Sequence, residues 1–289
     1  KQNSEWIKTI IMFKLIKILL FVVPLTFLTS CDMKSDKYLF GFNPFYKPGV
    51  NPSRLPDKFF DGDQLALAKA IYKNDGKELK RLIQENKSNL SQPGKEGYTL
   101  LYYSRDIMKY DMMKILLESG ADPNVASPTT YTPGMGKQSK PTVHTNIADV
   151  CYDQYDMKYL KLLLQYGANV NDTLGFLPLS RCMIGDQDDK IDFLLKNGAD
   201  VNLKPNKGLP PILSAAMGSQ WQLVERFLDL GGDIHIEHNG VNLQERMQSY
   251  INKTQGVDSQ RVSITKLIRR MEASGMKFDY SKAKFKMED

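Results

Sequence analysis

Four segments of this chain end alike, and that recurrence constrains its fold more than any other feature. Residues 115–124, 162–171 and 193–202 each carry an apolar run into a Gly-Ala-Asp/Asn turn, as in Leu162-Leu163-Leu164-Gln165-Tyr166-Gly167-Ala168-Asn169-Val170-Asn171. A weaker copy is Phe227-Leu228-Asp229-Leu230-Gly231-Gly232-Asp233-Ile234. Each reads as the last turn of an apolar helix, stopped by a glycine able to take the left-handed conformation and followed by a polar turn residue. The glycines stand at 120, 167, 198 and 231, in steps of 47, 31 and 33. A unit of about 33 residues is being repeated, and such a unit buries its apolar face only by stacking on its neighbours. The expected fold class is all-α, a solenoid of helix-turn-helix repeats.

A period near 33 with this Gly-Ala-Asp-Val-Asn ending resembles the ankyrin repeat, which implies short β-hairpin turns between helix pairs. Counting back from the glycines aligns the family's Thr-Pro-Leu-His start with Thr99, Asn146, Leu177 and Pro210. Pro178 and Pro211 keep the family proline at a first helical position, where a missing N–H costs nothing; the family histidine is absent. The same alignment superposes Ser104, Cys151, Cys182 and Ala215, a small residue where helices pack closely. Cys151 and Cys182 are therefore expected as two core thiols, separated by one stacked helix pair of about 10 Å and too far apart to bond. Leu65 to Ile83 forms a degenerate first repeat, and the apolar face of Leu243, Met247 and Ile251 with that of Leu267, Ile268 and Met271 forms a capping helical pair. About five repeats are expected over residues 60–238, with capping helices over 239–289.

Ahead of the array, Lys14 and Lys17 supply a positive flank after Met12, residues 18–28 are a short apolar run, and Leu28-Thr29-Ser30-Cys31 follows. The run is too short to span a bilayer of about 30 Å. The motif resembles the lipobox of bacterial lipoproteins, which implies a signal peptide over 1–30, lipidation of Cys31 and a tether over 31–59. Asp32 after it resembles an inner-membrane retention signal. Of the formal net charge of +6, residues 1–30 carry half. The remaining +3 is too weak a field to argue nucleic acid.

Chemistry is sparse. His235 and His238 lie close without metal-ligand geometry or a third ligand. Gly134-Met135-Gly136-Lys137 lacks the first glycine of a phosphate loop, Tyr131 standing in its place. No nucleophile elbow exists, and Asp122, Asp200 and Asp233 are turn residues. The expectation is no enzyme, no cofactor, no metal and no small-molecule substrate.

In ankyrin arrays the hairpin tips and the concave ends of the first helices bind partners. The resemblance puts Lys95, Glu96, Tyr98 and Asp106 there in the second repeat, and Asp153 and Gln154 in the third. It puts Leu174, Phe176 and Ile184 there in the fourth, and Lys207 and Met217 in the fifth. The step from 120 to 167 exceeds the period by 14 residues, which fall in 125–143 and include Tyr131. Such an insertion is either an extra binding arm or a tolerated loop. Lipobox, tether and array together resemble the ankyrin-repeat lipoprotein immunity proteins of type VI secretion systems. That resemblance implies a protein on the periplasmic face of a membrane that blocks the active-site entrance of a cognate phospholipase effector. The alternative is an envelope scaffold for protein complexes.

Overall fold

The computed structural model describes residues 54–85, 89–132, 136–151, 155–184, 187–206, 208–255 and 258–287. These all fall in one compact unit, Asn51–Asp289. The lipobox, Cys31 and most of the expected tether lie outside the described residues. Six helix pairs follow one another: α1 (Gly62–Lys73) and α2 (Gly76–Glu85), α3 (Leu100–Asp106) and α4 (Tyr110–Glu118), α5 (Asn146–Asp149) and α6 (Met157–Gln165). They continue as α7 (Pro178–Cys182) and α8 (Asp188–Lys196), α9 (Pro211–Met217) and α10 (Trp221–Asp229), α11 (Leu243–Lys253) and α12 (Asp258–Ala273). The first helices stack in sequence, α1 on α3, α5, α7, α9 and α11, as an unbroken inner layer. In the outer layer α2 packs on α4 and α10 on α12.

Helix ends follow the sequence signals. Thr99 Oγ1 accepts from the Tyr102 N–H at 3.0 Å to start α3, Asp156 Oδ1 accepts from Lys158 at 2.8 Å to start α6, and Pro178 and Pro211 open α7 and α9. Gly120, Gly167, Gly198, Gly231 and Gly275 all have φ between 82° and 97°, so a backbone only glycine adopts freely ends five outer helices. Behind each glycine the next N–H returns to a carbonyl of a wholly buried side chain: Ala121 to Leu116, Ala168 to Leu163, Ala199 to Leu194, Gly232 to Phe227 and Met276 to Met271. This is the six-to-one bond of a Schellman turn, repeated. The same turn closes the last helix of the expected capping pair at Gly275.

Successive units are also clasped through their turns. Asn124 donates to Gly167 O at 3.0 Å and accepts from Asn169 N at 2.7 Å. Asn171 does the same with Gly198 and Asp200 at 2.9 Å each, and Asn202 with Gly231 and Asp233 at 3.1 and 2.8 Å. At the degenerate end Ser91 Oγ accepts from Asp122 N, half of the clasp. A second tie runs from the third, fourth and fifth outer helices, or their caps, to the end of the preceding unit's inner helix: Tyr159 Oη donates to Met108 O, Lys190 Nζ to Val150 O and Gln220 Nε2 to Met183 O, all at 3.1 Å. These bonds satisfy carbonyls that a short helix leaves without partners. Lys190 is thereby buried on a helix C-terminus, where a cation is favoured.

Ser104, Cys151, Cys182 and Ala215 are all fully buried, as their shared position requires. Both cysteines are free. Their thiols are nevertheless neighbours, and burial followed by contact with Cys182 pushes the Cys151 thiol well up. The 10 Å expected between them is a helix-axis distance, and the side chains close it.

Two segments depart from the expected layout. The insertion folds as an antiparallel hairpin, β1 (Ser127–Thr132) and β2 (Gly136–His144), paired from Ser127–His144 to Thr132–Gly136 with an irregularity between Thr129 and Tyr131. Residues 54–59, placed by the sequence in the tether, belong to the fold. Arg54 is 8 % exposed, Pro56–Lys58 forms a 3-10 turn, and Phe59 and Phe60 are buried against the second unit.

Candidate partner-binding surface

The turns between units form a row of fingers, and the hairpin is the longest of them. Its root is held on both sides by close backbone approach. A Cβ built on Gly97, where φ is +74°, would lie 2.4 Å from Pro128 O, and one on Gly175 would lie 2.9 Å from Val143 O. Only glycine lets the second and fourth fingers flank the third this tightly.

Beneath the root lies a buried polar cluster. Arg105, wholly buried, places Nη2 2.9 Å from Asp149 Oδ2 and donates from Nη1 to Tyr155 Oη at 3.1 Å. Its guanidinium sits 4.3 Å from the Tyr102 ring centroid. Asp149 also meets His144 Nδ1 at 2.9 Å, tying the last residue of β2 to α5. One residue along α3, Asp106 meets Arg54 Nη1 at 2.8 Å and accepts from Tyr98 Oη at 3.3 Å. Tyr103 Oη donates to Arg54 O at 2.6 Å. Burial raises the Asp106 carboxyl above its ordinary range, with Arg54 and Arg105 pulling the other way. At Asp149 burial pushes up too, but Arg105 and the His144 hydrogen bond prevail and hold it below. No histidine-partner motif or helical spacing announces this cluster in the sequence; its signal is only a charged pair, Arg105-Asp106, at the end of an apolar helix.

The expected partner residues divide sharply. Leu174, Phe176, Ile184 and Met217 are exposed, at 58, 48, 57 and 45 %. Phe176 lies against the Arg181 guanidinium, 4.1 Å from its ring centroid. Met108, which the sequence reading passed over, joins them at 50 %. Lys95 and Glu96 are exposed on the second finger; Lys95 pairs with Asp61 at 2.6 Å, and Glu96 holds a left-handed φ of 54°. Tyr98 and Asp106 are corrections. Tyr98 is wholly buried, its ring 4.2 Å from that of Phe59, and the Asp106 side chain is fully covered by Arg54. Residues 54–60 fill the surface these two were expected to offer. Asp153, Gln154 and Lys207 lie outside the described residues, and of Tyr131 the backbone alone is described, in β1.

Among the described residues no group of three or more His, Cys, Asp or Glu could hold a metal ion. No helix among them is long and apolar enough to cross a membrane.

Comparison with known proteins agrees with this architecture. The chain is 31 % identical over 134 residues to an ankyrin repeat protein of Acanthamoeba polyphaga mimivirus, covering 46 % of this chain and 16 % of that one. It is 31 % identical over 148 residues to an ankyrin repeat protein of Rickettsia felis, covering 49 and 60 %. It is 30 % identical over 161 residues to protein PhlB of Serratia liquefaciens, covering 54 and 64 %. The match spans less than two thirds of each of these relatives. No family model matches the chain. The fold is the all-α ankyrin-type repeat solenoid, an architecture of protein-binding scaffolds.

Proposed function

We propose that this chain is a lipid-anchored inhibitor on the periplasmic face of a bacterial membrane, an immunity protein that covers the active-site entrance of a type VI secretion phospholipase effector. The observation that carries its binding half is the row of exposed apolar side chains, Leu174, Phe176, Ile184 and Met217, on consecutive units. Large apolar groups gathered at positions that ordinarily face water mark a partner surface. Arg181 lies against the face of Phe176 and so restricts the freedom that ring has to lose on binding. The choice of partner and the anchor rest on the lipobox-like Leu28-Thr29-Ser30-Cys31 and its combination with a repeat array. Lipid anchoring would hold the inhibitor where the lipase meets its substrate.

The test is protection of cells. The full chain, produced with a periplasm-directed phospholipase encoded beside its gene, should rescue growth, and Phe176→Ala with Ile184→Ala should not. An intact chain that gives no rescue and does not bind that lipase in calorimetry sinks the immunity reading. Cys31→Ser should leave the membrane fraction or stall in processing; unchanged membrane attachment would remove the anchor from the proposal.

A further inference from the structure

The buried charges form a line from residue 54 to the root of the hairpin. Arg105 and Asp106 are adjacent at the end of α3 yet serve different neighbours: Arg105 pairs with Asp149 of the next unit, and Asp106 with Arg54 of residues 54–60, a strap laid over the second unit. Asp149 in turn holds His144, the last residue of β2, through the same oxygen that meets Arg105. One guanidinium therefore stands between two carboxylates and is drawn by both. Asp106 is the worse served, since burial outweighs its cations, while Asp149 is held by Arg105 and His144 together.

We propose that Arg54 arbitrates between these carboxylates and so couples docking of the strap to the pose of the hairpin. With Arg54 in place, Asp106 has its own cation and Arg105 is left to Asp149. With Arg54 withdrawn, Asp106 keeps the Tyr98 hydroxyl but no paired cation, a costly state for a buried carboxylate, and draws on Arg105, the adjacent residue and the other cation that acts on it. Asp149 then loses its principal partner, and the His144 contact that closes the hairpin root loosens with it. Three residues close in space but far apart in sequence, Arg54, Arg105 and His144, thus make the longest finger answer to the state of the strap. That this finger touches the partner rests on the function proposed above; the coupling itself does not.

Hydrogen exchange on the isolated full-length protein tests it without any partner. In Arg54→Ala the amides of Ser127, Val143 and His144 should exchange roughly tenfold faster, a local opening, while those of α9 and α10 keep their protection. Adding Asp106→Asn, which removes the competing charge, should return the root to within about twofold of the intact chain. An unchanged root in Arg54→Ala overturns the proposal, as does a double variant that stays as open as the single one. Should Arg54→Ala open α9 as well, Asp106→Asn alone decides. Its amide still accepts from Tyr98 and Arg54, so the root should stay closed, and an open root overturns the coupling.

Discussion

Asp106 and Asp149 are equally buried carboxylates with opposite tendencies, and the difference is readable as pH dependence. The folded value of Asp149 lies below the ordinary carboxylate range. Its contribution to stability is therefore present above about pH 3.9 and lost as the pH falls below it. Asp106 lies above the range, so its charge costs stability at neutral pH, and that cost is recovered as the pH falls through its raised value toward about 3.9. On acidification the urea midpoint should first rise slightly and then drop; Asp106→Asn should remove the rise and Asp149→Asn should flatten the drop. Tyr98 carries a different lesson. Finger position made it a partner residue on paper, but nothing in a repeat register reveals that Phe59 and Arg54 will fold back onto it. Tyr98→Ala should accordingly cost about 3–5 kcal/mol of stability in denaturant unfolding. Gly175→Ala should cost about 1–3 kcal/mol, since its Cβ meets the backbone of β2 and not a side chain that can turn away.

The helices themselves were legible. Among the described residues, apolar spacing, the proline starts and the glycine stops place ten of the twelve α-helices unit by unit, because each signal is local and recurs. The last two are read as a capping pair from their apolar faces, and Gly275, which lacks the Ala-Asp sequence of its counterparts, makes the same backbone turn. The hairpin was half legible: its length followed from the spacing of glycines, whereas its ladder has no alternating apolar pattern to announce it and its root depends on a buried ion pair from other units. The exposure of Leu174, Phe176, Ile184 and Met217 is what the repeat register alone conveys. Phe176→Ala combined with Ile184→Ala should weaken partner binding by several kcal/mol, on the order of 2–4 per anchoring side chain. Thermal unfolding should show little change, because both side chains are exposed, at 48 and 57 %; a large fall in melting temperature would place them in the core instead.

Across the whole molecule the turns act as a chain of clasps. Asn124, Asn171 and Asn202 each bridge to the following unit with two hydrogen bonds, and Ser91 supplies one such bond at the degenerate end. Asn171→Ala should therefore loosen the junction between the third and fourth units by about 1–2 kcal/mol, and in a nearest-neighbour array a weakened junction broadens the unfolding transition. A transition that shifts without broadening would show that the inner layer alone carries cooperativity. Cys151 and Cys182 bridge the same junction as neighbouring thiols, and thiol counting on the unfolded, unreduced chain should find both free. The hairpin root has one more consequence, in terms of exchangeable parts. Glycines fix its two sides and His144 its floor, so its root is held at Pro128, Val143 and His144. Lengthening the hairpin beyond that root should cost little, for doubling such a loop costs only about 0.6 kcal/mol of closure entropy. The fold thus offers a socket with an interchangeable tip, into which a foreign recognition loop could be grafted while the array beneath it stays as it is.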